Sequence, residues 1–188
     1  MADAPVSKRV IYRLARLLER EHVSYAYMGG VALSIWAIPR ATFDLDVALS
    51  IREDHLGTLL ATFDREGFVV DPVFVRGHRD TVGGMPTVHV QIPVGSTLMT
   101  VDIFLAGTPF LESVLSRRKP VELGDGSVFV VTAADLLLFK VIAGRRKDLV
   151  DIDNLLAVQG IPERGYLEQW ASALAMKERL DIALRGRK

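Results

Sequence analysis

The chain has no cysteine among its 188 residues, so disulfides and thiolate metal sites are excluded. It carries no net charge: 23 Lys and Arg balance 23 Asp and Glu. A broad non-specific nucleic-acid surface, which needs a net basic face, is therefore not expected, although a local basic patch is allowed. Long hydrophobic runs are missing too. The longest, such as Leu136 to Phe139, fall far short of a membrane span, and residues 1–10 lack the apolar core of a secretory signal. A cytoplasmic protein without membrane contact is the expectation. Histidines are few and scattered, at 22, 55, 78 and 89. This disfavours a phosphohydrolase built on a histidine–aspartate cluster. No internal repeat or low-complexity linker is visible. What remains is a globular composition, with 49% hydrophobic and 24% charged residues, of a length suited to one domain with a helical appendage.

The stretch from Tyr27 to Asp46 organises the rest. Val23 to Met28 reads as a strand ending in Gly29-Gly30, and Val31 to Ile38 as a short helix stopped by Pro39. Phe43, Leu45 and Val47 then alternate with Asp44 and Asp46, so a strand would put both carboxylates on one face. Two ionised carboxylates side by side repel, and a divalent cation such as Mg²⁺ resolves that repulsion with its preferred ligands. Glycines before a helix let backbone N–H groups approach a phosphate. Metal beside phosphate points to nucleotide chemistry. An ordinary Gly-rich connection followed by two solvated aspartates is the bland alternative.

Before this stretch, residues 1–6 read as a loose tail. Ser7 to Glu21 reads as a helix whose arginines face solvent. After it, the pattern predicts a helix over 54–66, a strand over 68–75 broken at Asp71-Pro72, and a polar loop over 76–86. In that loop His78, Arg76 and Arg79 are either substrate contacts or mobile surface. Strands follow over 87–92 and 98–105, the second carrying Asp102 in an apolar setting. A buried carboxylate needs a partner. The proposed metal site would supply one, or Asp102 faces solvent. A helix over 109–115 leads to Arg117-Arg-Lys119, read as an exposed basic connection, and a hairpin turns at Gly124-Asp-Gly126. Thr132 and Asp135 form a capping box opening a helix that is apolar almost all round. Lys140, its one cation, either meets a carboxylate or phosphate or snorkels along the core. In the next helix Asp148 and Asp151 share a face, and Lys147 is spaced to pair with Asp151. A final helical region follows Pro162, and residues 186–188 are a basic tail.

Taken together these residues resemble the DNA polymerase beta-like nucleotidyltransferase superfamily. The shared pattern is Gly29-Gly30, Asp44-Leu-Asp46 and a third acid, Asp102. More narrowly, Gly29-Gly-Val-Ala-Leu33, Arg40-Ala-Thr-Phe-Asp-Leu-Asp46, Lys140 and Arg145-Arg-Lys-Asp-Leu-Val-Asp151 are similar to bacterial nucleotidyltransferase-like proteins related to AbiEii-type toxins. The resemblance spans about residues 23–156. Gly30 stands where many members of the superfamily have serine.

The resemblance implies an α/β (α+β) fold: a small mixed sheet with helices mostly on one face. The catalytic core would be residues 1–131 and a helical C-terminal part residues 132–188. It implies transfer of a nucleoside monophosphate from an NTP to an RNA, protein or small-molecule acceptor, and a toxin with an antitoxin partner is one form of that. Asp44, Asp46 and Asp102 would hold two Mg²⁺ ions, with Asp102 the candidate base. Gly29 and Gly30 would cradle phosphates, and Lys140 and Arg40 would neutralise the triphosphate. Thr42, Lys147, Asp148 and Asp151 complete the nucleotide-binding candidates, the two aspartates orienting Lys140 or Lys147. The competing reading is a non-catalytic nucleotide-sensing or partner-binding module on the same fold.

Overall fold

A computed structural model describes residues 6–124 and 126–185. Most of the expected tail at 1–6, Asp125 of the hairpin turn, and the basic tail 186–188 lie outside the described residues. Val6 is described and is tied down: its N–H donates to the Thr42 carbonyl at 2.8 Å.

The described strands form one mixed sheet, β1(Ser24–Tyr27), β2(Asp44–Ser50), β3(Val69–Val70), β4(Asp80–Val82), β5(Met85–Val94), β6(Thr97–Leu105), β7(Lys119–Glu122) and β8(Ser127–Val130). Their order is β3-β5-β6-β2-β1-β8-β7, with β4 also paired to β5. β2 lies parallel to β6 and antiparallel to β1. The expected α/β architecture with a mixed sheet is thus present. Helices α1(Lys8–Arg20), α2(Gly29–Trp36) and α5(Pro109–Arg117) pack against the central strands β1 and β2. Helices α6(Ala133–Ala143), α7(Arg146–Gln159), α8(Arg164–Ala173) and α9(Lys177–Leu184) pack together, and α6 and α7 also meet α2. Buried residues from both sides of position 131 belong to one hydrophobic cluster.

Alternation around the carboxylates, over residues 44–47 of β2 and 101–103 of β6, sets the site. Leu45, Val47 and Leu49 of β2 and Val101 and Ile103 of β6 are fully buried, while Asp44, Asp46 and Asp102 occupy the intervening, half-buried positions. One side of the sheet is therefore core, and its other side carries the carboxylates.

Two elements differ from the sequence pattern. Where a strand over 68–75 broken at Asp71-Pro72 is expected, β3 is only two residues long, and beyond the break the chain forms α4(Pro72–Val75) instead of resuming a strand. Asp71 explains this: its carboxylate accepts from the Val73 N–H at 2.8 Å, and Pro72 at the first helical position lacks the N–H a ladder would need. The expected loop 76–86 is largely a hairpin, with β4 and β5 joined through Gly83-Gly84. Alternation is too short over Asp80–Val82 to register as a strand.

The segment Arg117–Lys119, expected to be an exposed basic connection, is built into the fold. Arg117 stacks over the Tyr166 ring at 3.8 Å and donates to Glu163, and Arg118 lies over Phe129. The capping box of α6 is formed as expected, with Thr132 and Asp135 bonding reciprocally. Asp135 is also fully buried and accepts from the Tyr166 hydroxyl at 2.6 Å, so it joins α6 to α8.

Candidate active site

Gly29 and Gly30 open α2 where β1 ends, and both sites are too tight for a side chain as the neighbours stand. A side chain on Gly29, which has φ +52°, would run into the Asp46 carboxylate; a Cβ on Gly30 would stand 2.5 Å from Thr42. The turn thus lies directly against the β2 carboxylates, with the N–H groups of the first turn of α2 beside them. Packing adds a second reason for glycine at position 30: Thr42 occupies the space a side chain there would need.

The three aspartates come together across two strands. Asp46 and Asp102 are register partners in the parallel β2–β6 pair, and Asp44 is two residues along from Asp46. Each is held differently. The Thr42 hydroxyl donates to Asp44 Oδ1 at 2.7 Å. His89 Nδ1 lies 2.7 Å from Asp102 Oδ1. Among the described residues nothing hydrogen-bonds the Asp46 carboxylate. Its pKa is pushed up to about 7, first by burial and then by the charges of Asp44 and Asp102, with Lys140 and Arg145 partly offsetting. As the side chains stand, no three Asp, Glu or His residues among the described residues form a ready-made metal cluster. An unpartnered carboxylate flanked by two others is nonetheless a site short of positive charge, and all three donors are hard oxygens. That fits a divalent cation.

Opposite this wall is a chain of alternating charges. Lys140, on α6, is buried and lies 2.7 Å from Asp151 and 3.1 Å from Asp148. Arg40 grips Asp151 through Nε at 2.9 Å and Nη2 at 3.1 Å. Arg145 binds Asp148 through its backbone N–H, Nε and Nη2. Burial pushes both carboxylates up, but the hydrogen bonds from Arg145 and Lys140 hold Asp148 below the usual range, and those from Arg40 and Lys140 do the same for Asp151. Both carboxylates are engaged by cations: Asp148 by Lys140 and Arg145, Asp151 by Lys140 and Arg40. Asp151 pairs with Arg40 and Lys140, not with Lys147, because it is the buried side of α7 that carries it.

A cleft of about 260 Å³ lies between the two walls. Gly29, Gly30, Arg40, Thr42, Asp44, Asp46, Asp102, Lys140, Lys147 and Asp148 all line it; Asp151 does not, and acts from behind. Arg145 also lines it. Met85, Phe104, Leu136 and Phe139 add apolar surface to its lining. Arg145 is named by the sequence only as part of a motif. His89 is missed as a site residue altogether, although its signal is present. Val94 pairs with Thr97 across a two-residue turn, and counting back from there puts His89 opposite Asp102.

Neither a protein-family model nor a curated protein matches the sequence. Solved structures do match it in fold. An antigenic nucleotidyltransferase-like protein from Paracoccidioides brasiliensis aligns over 98% of this chain and 96% of its own, with 21% identity and TM-score 0.54. The lincosamide antibiotic adenylyltransferase LnuA, solved with lincomycin bound, covers 83% of this chain and 100% of its own at 14% identity and TM-score 0.57. ANT(2")-Ia, in complex with adenylyl-2"-tobramycin, covers 90% and 97% at 12% identity and TM-score 0.58. The chain is thus similar in fold to nucleotidyltransferases and has the nucleotidyltransferase type of sheet.

Proposed function

We propose that this protein is a nucleotidyltransferase that moves a nucleoside monophosphate from an NTP to an acceptor hydroxyl, with Mg²⁺ held by Asp44, Asp46 and Asp102. The observation that carries the reading is the opposition of two walls across one cleft: three carboxylates short of positive charge on the sheet, and a cationic row on α6 and α7. An NTP with its metal ions is a ligand complementary to both at once. The metal would supply charge neutralisation and activation of an acceptor hydroxyl. The N–H groups at Gly29 and Gly30 would receive the outer phosphates. Lys140, Arg40 and Arg145, fixed by Asp148 and Asp151, would face the charge that builds on the leaving pyrophosphate, and Lys147 would add to them from the rim. Asp102 would accept the acceptor's proton.

LnuA, an antibiotic adenylyltransferase solved with lincomycin bound, and ANT(2")-Ia, solved with adenylyl-2"-tobramycin, favour a small-molecule acceptor, and the apolar part of the cleft lining gives such a molecule a surface. The use of Arg117 and Arg118 inside the fold removes one of the two basic groups that pointed to RNA. An RNA or protein acceptor, and with it a toxin role and an antitoxin partner, rests on the sequence motifs alone. Incubation with α-labelled NTPs and candidate acceptors tests the proposal. Label transfer with pyrophosphate release is expected, and Asp44→Ala should abolish both while the protein stays folded. Transfer retained by Asp44→Ala would refute the assignment, and metal-dependent NTP binding without turnover on any acceptor would favour the sensing module.

A further inference from the structure

Behind Asp102 lies a bracket that the proposed chemistry leaves unused. His89 sits opposite Asp102 in the β5–β6 ladder, and its Nδ1 reaches Asp102 Oδ1 at 2.7 Å. The other ring nitrogen stands 3.1 Å from Asp80 Oδ2 on β4, and the second Asp80 oxygen bonds His78 Nε2, also at 3.1 Å. Phe74 of α4 packs against both imidazole rings, with centroids 5.9 and 5.7 Å away. Of these side chains only His89 touches the Asp102 carboxylate; Asp80 and Phe74 contact His89, and His78 contacts Asp80 and Phe74.

Asp102 needs such support. Its register neighbour Asp46 repels it, and among the described residues only His89 hydrogen-bonds its carboxylate, so without His89 nothing there fixes the side chain against that repulsion. A hydrogen bond to Oδ1 holds the side chain and leaves Oδ2 for the cleft. We infer that His89 is a positioning residue for Asp102, and that Asp80 and His78 fix His89 in turn. The inference rests on the proposed metal-binding role of Asp102 and adds a support that the sequence motif does not contain. The polar hairpin that looks like a surface loop is then the outer layer of the active site. Partners of this kind behind a metal ligand commonly change metal affinity or activity by about 10–100-fold.

Mn²⁺ alone is the probe, titrated into the full chain by calorimetry, alongside kcat and KM for NTP. His89→Ala should weaken Mn²⁺ binding by about 10-fold or more and lower kcat with little change in KM. His89→Asn, whose amide can reach Oδ1 as Nδ1 does, should restore most of the loss, whereas His89→Gln should not. Asp80→Ala should show a smaller loss that disappears when His89 is already alanine. If His89→Ala is poorly folded, the Asn and Gln variants decide by themselves. Mn²⁺ binding that is lost in Asp102→Ala but unchanged in every His89 variant would overturn the inference alone. Mn²⁺ binding indifferent to Asp102→Ala would overturn the metal-site reading and the inference together.

Discussion

Asp46 shows most clearly what a single residue contributes. Its folded pKa of about 7 lies above the ordinary value of 3.8, so ionisation works against folding. As pH rises from about 4, the unfolded chain gives up this proton first, and stability falls until about 7, where the folded carboxylate has ionised as well. Asp46→Asn removes that penalty. In EDTA at pH 8 the variant should be more stable than the wild type by about 2 kcal/mol, below the full conversion because solvent reaches the site. At pH 5 the gap should shrink, and transfer should be absent at both. Thermal melts at the two pH values check it. Gly30 gives a packing counterpart: Gly30→Ala puts a Cβ 2.5 Å from Thr42, so a loss of about 1–3 kcal/mol is expected in urea unfolding.

Helix α6 and the start of α7 act as a unit, because buried carboxylates and cations alternate between them. Replacing Lys140 with Met leaves Asp148 and Asp151 short of a partner in a buried setting, so a loss of about 3 kcal/mol is expected, with a collapse in NTP affinity. The two aspartates have folded pKa values below 3.8, so their stabilisation is present above that value and lost as pH falls beneath it; acid unfolding should begin earlier in Asp151→Asn. This scale also shows what the sequence could reveal. The carboxylate pair, the capping box and the lysine helix follow from local periodicity. The pairing of Arg40 with Asp151 does not, since it spans 111 positions and depends on how α7 docks beside the strand entrance. The β4–β5 hairpin is hidden because the three residues Asp80-Thr81-Val82 are too few to show an alternation. The role of His89 is hidden for another reason: it requires register to be counted across a turn, and composition makes four dispersed histidines look inert.

At the level of the whole molecule, the fold brings three sheet carboxylates from residues 44–102 to face cations from residues 40 and 140–147. The sheet and the C-terminal helices share one core, and Asp135, Tyr166 and Arg117 tie α5, α6 and α8 together. Tyr166→Phe should cost about 1–2 kcal/mol by leaving buried Asp135 one hydrogen bond short, a global effect to be read from the chemical-denaturation midpoint. Among the described residues no helix is long and apolar enough to cross a membrane. The proposed function requires the two walls to hold a metal–nucleotide complex between them. Its most direct test is binding of each of the four NTPs with and without Mg²⁺, comparing wild type with the Asp44→Ala/Asp46→Ala double variant. Binding of at least one NTP that needs both the metal and the aspartates is the expected result. Binding indifferent to metal and aspartates, or none to any NTP even with acceptor present, would contradict it.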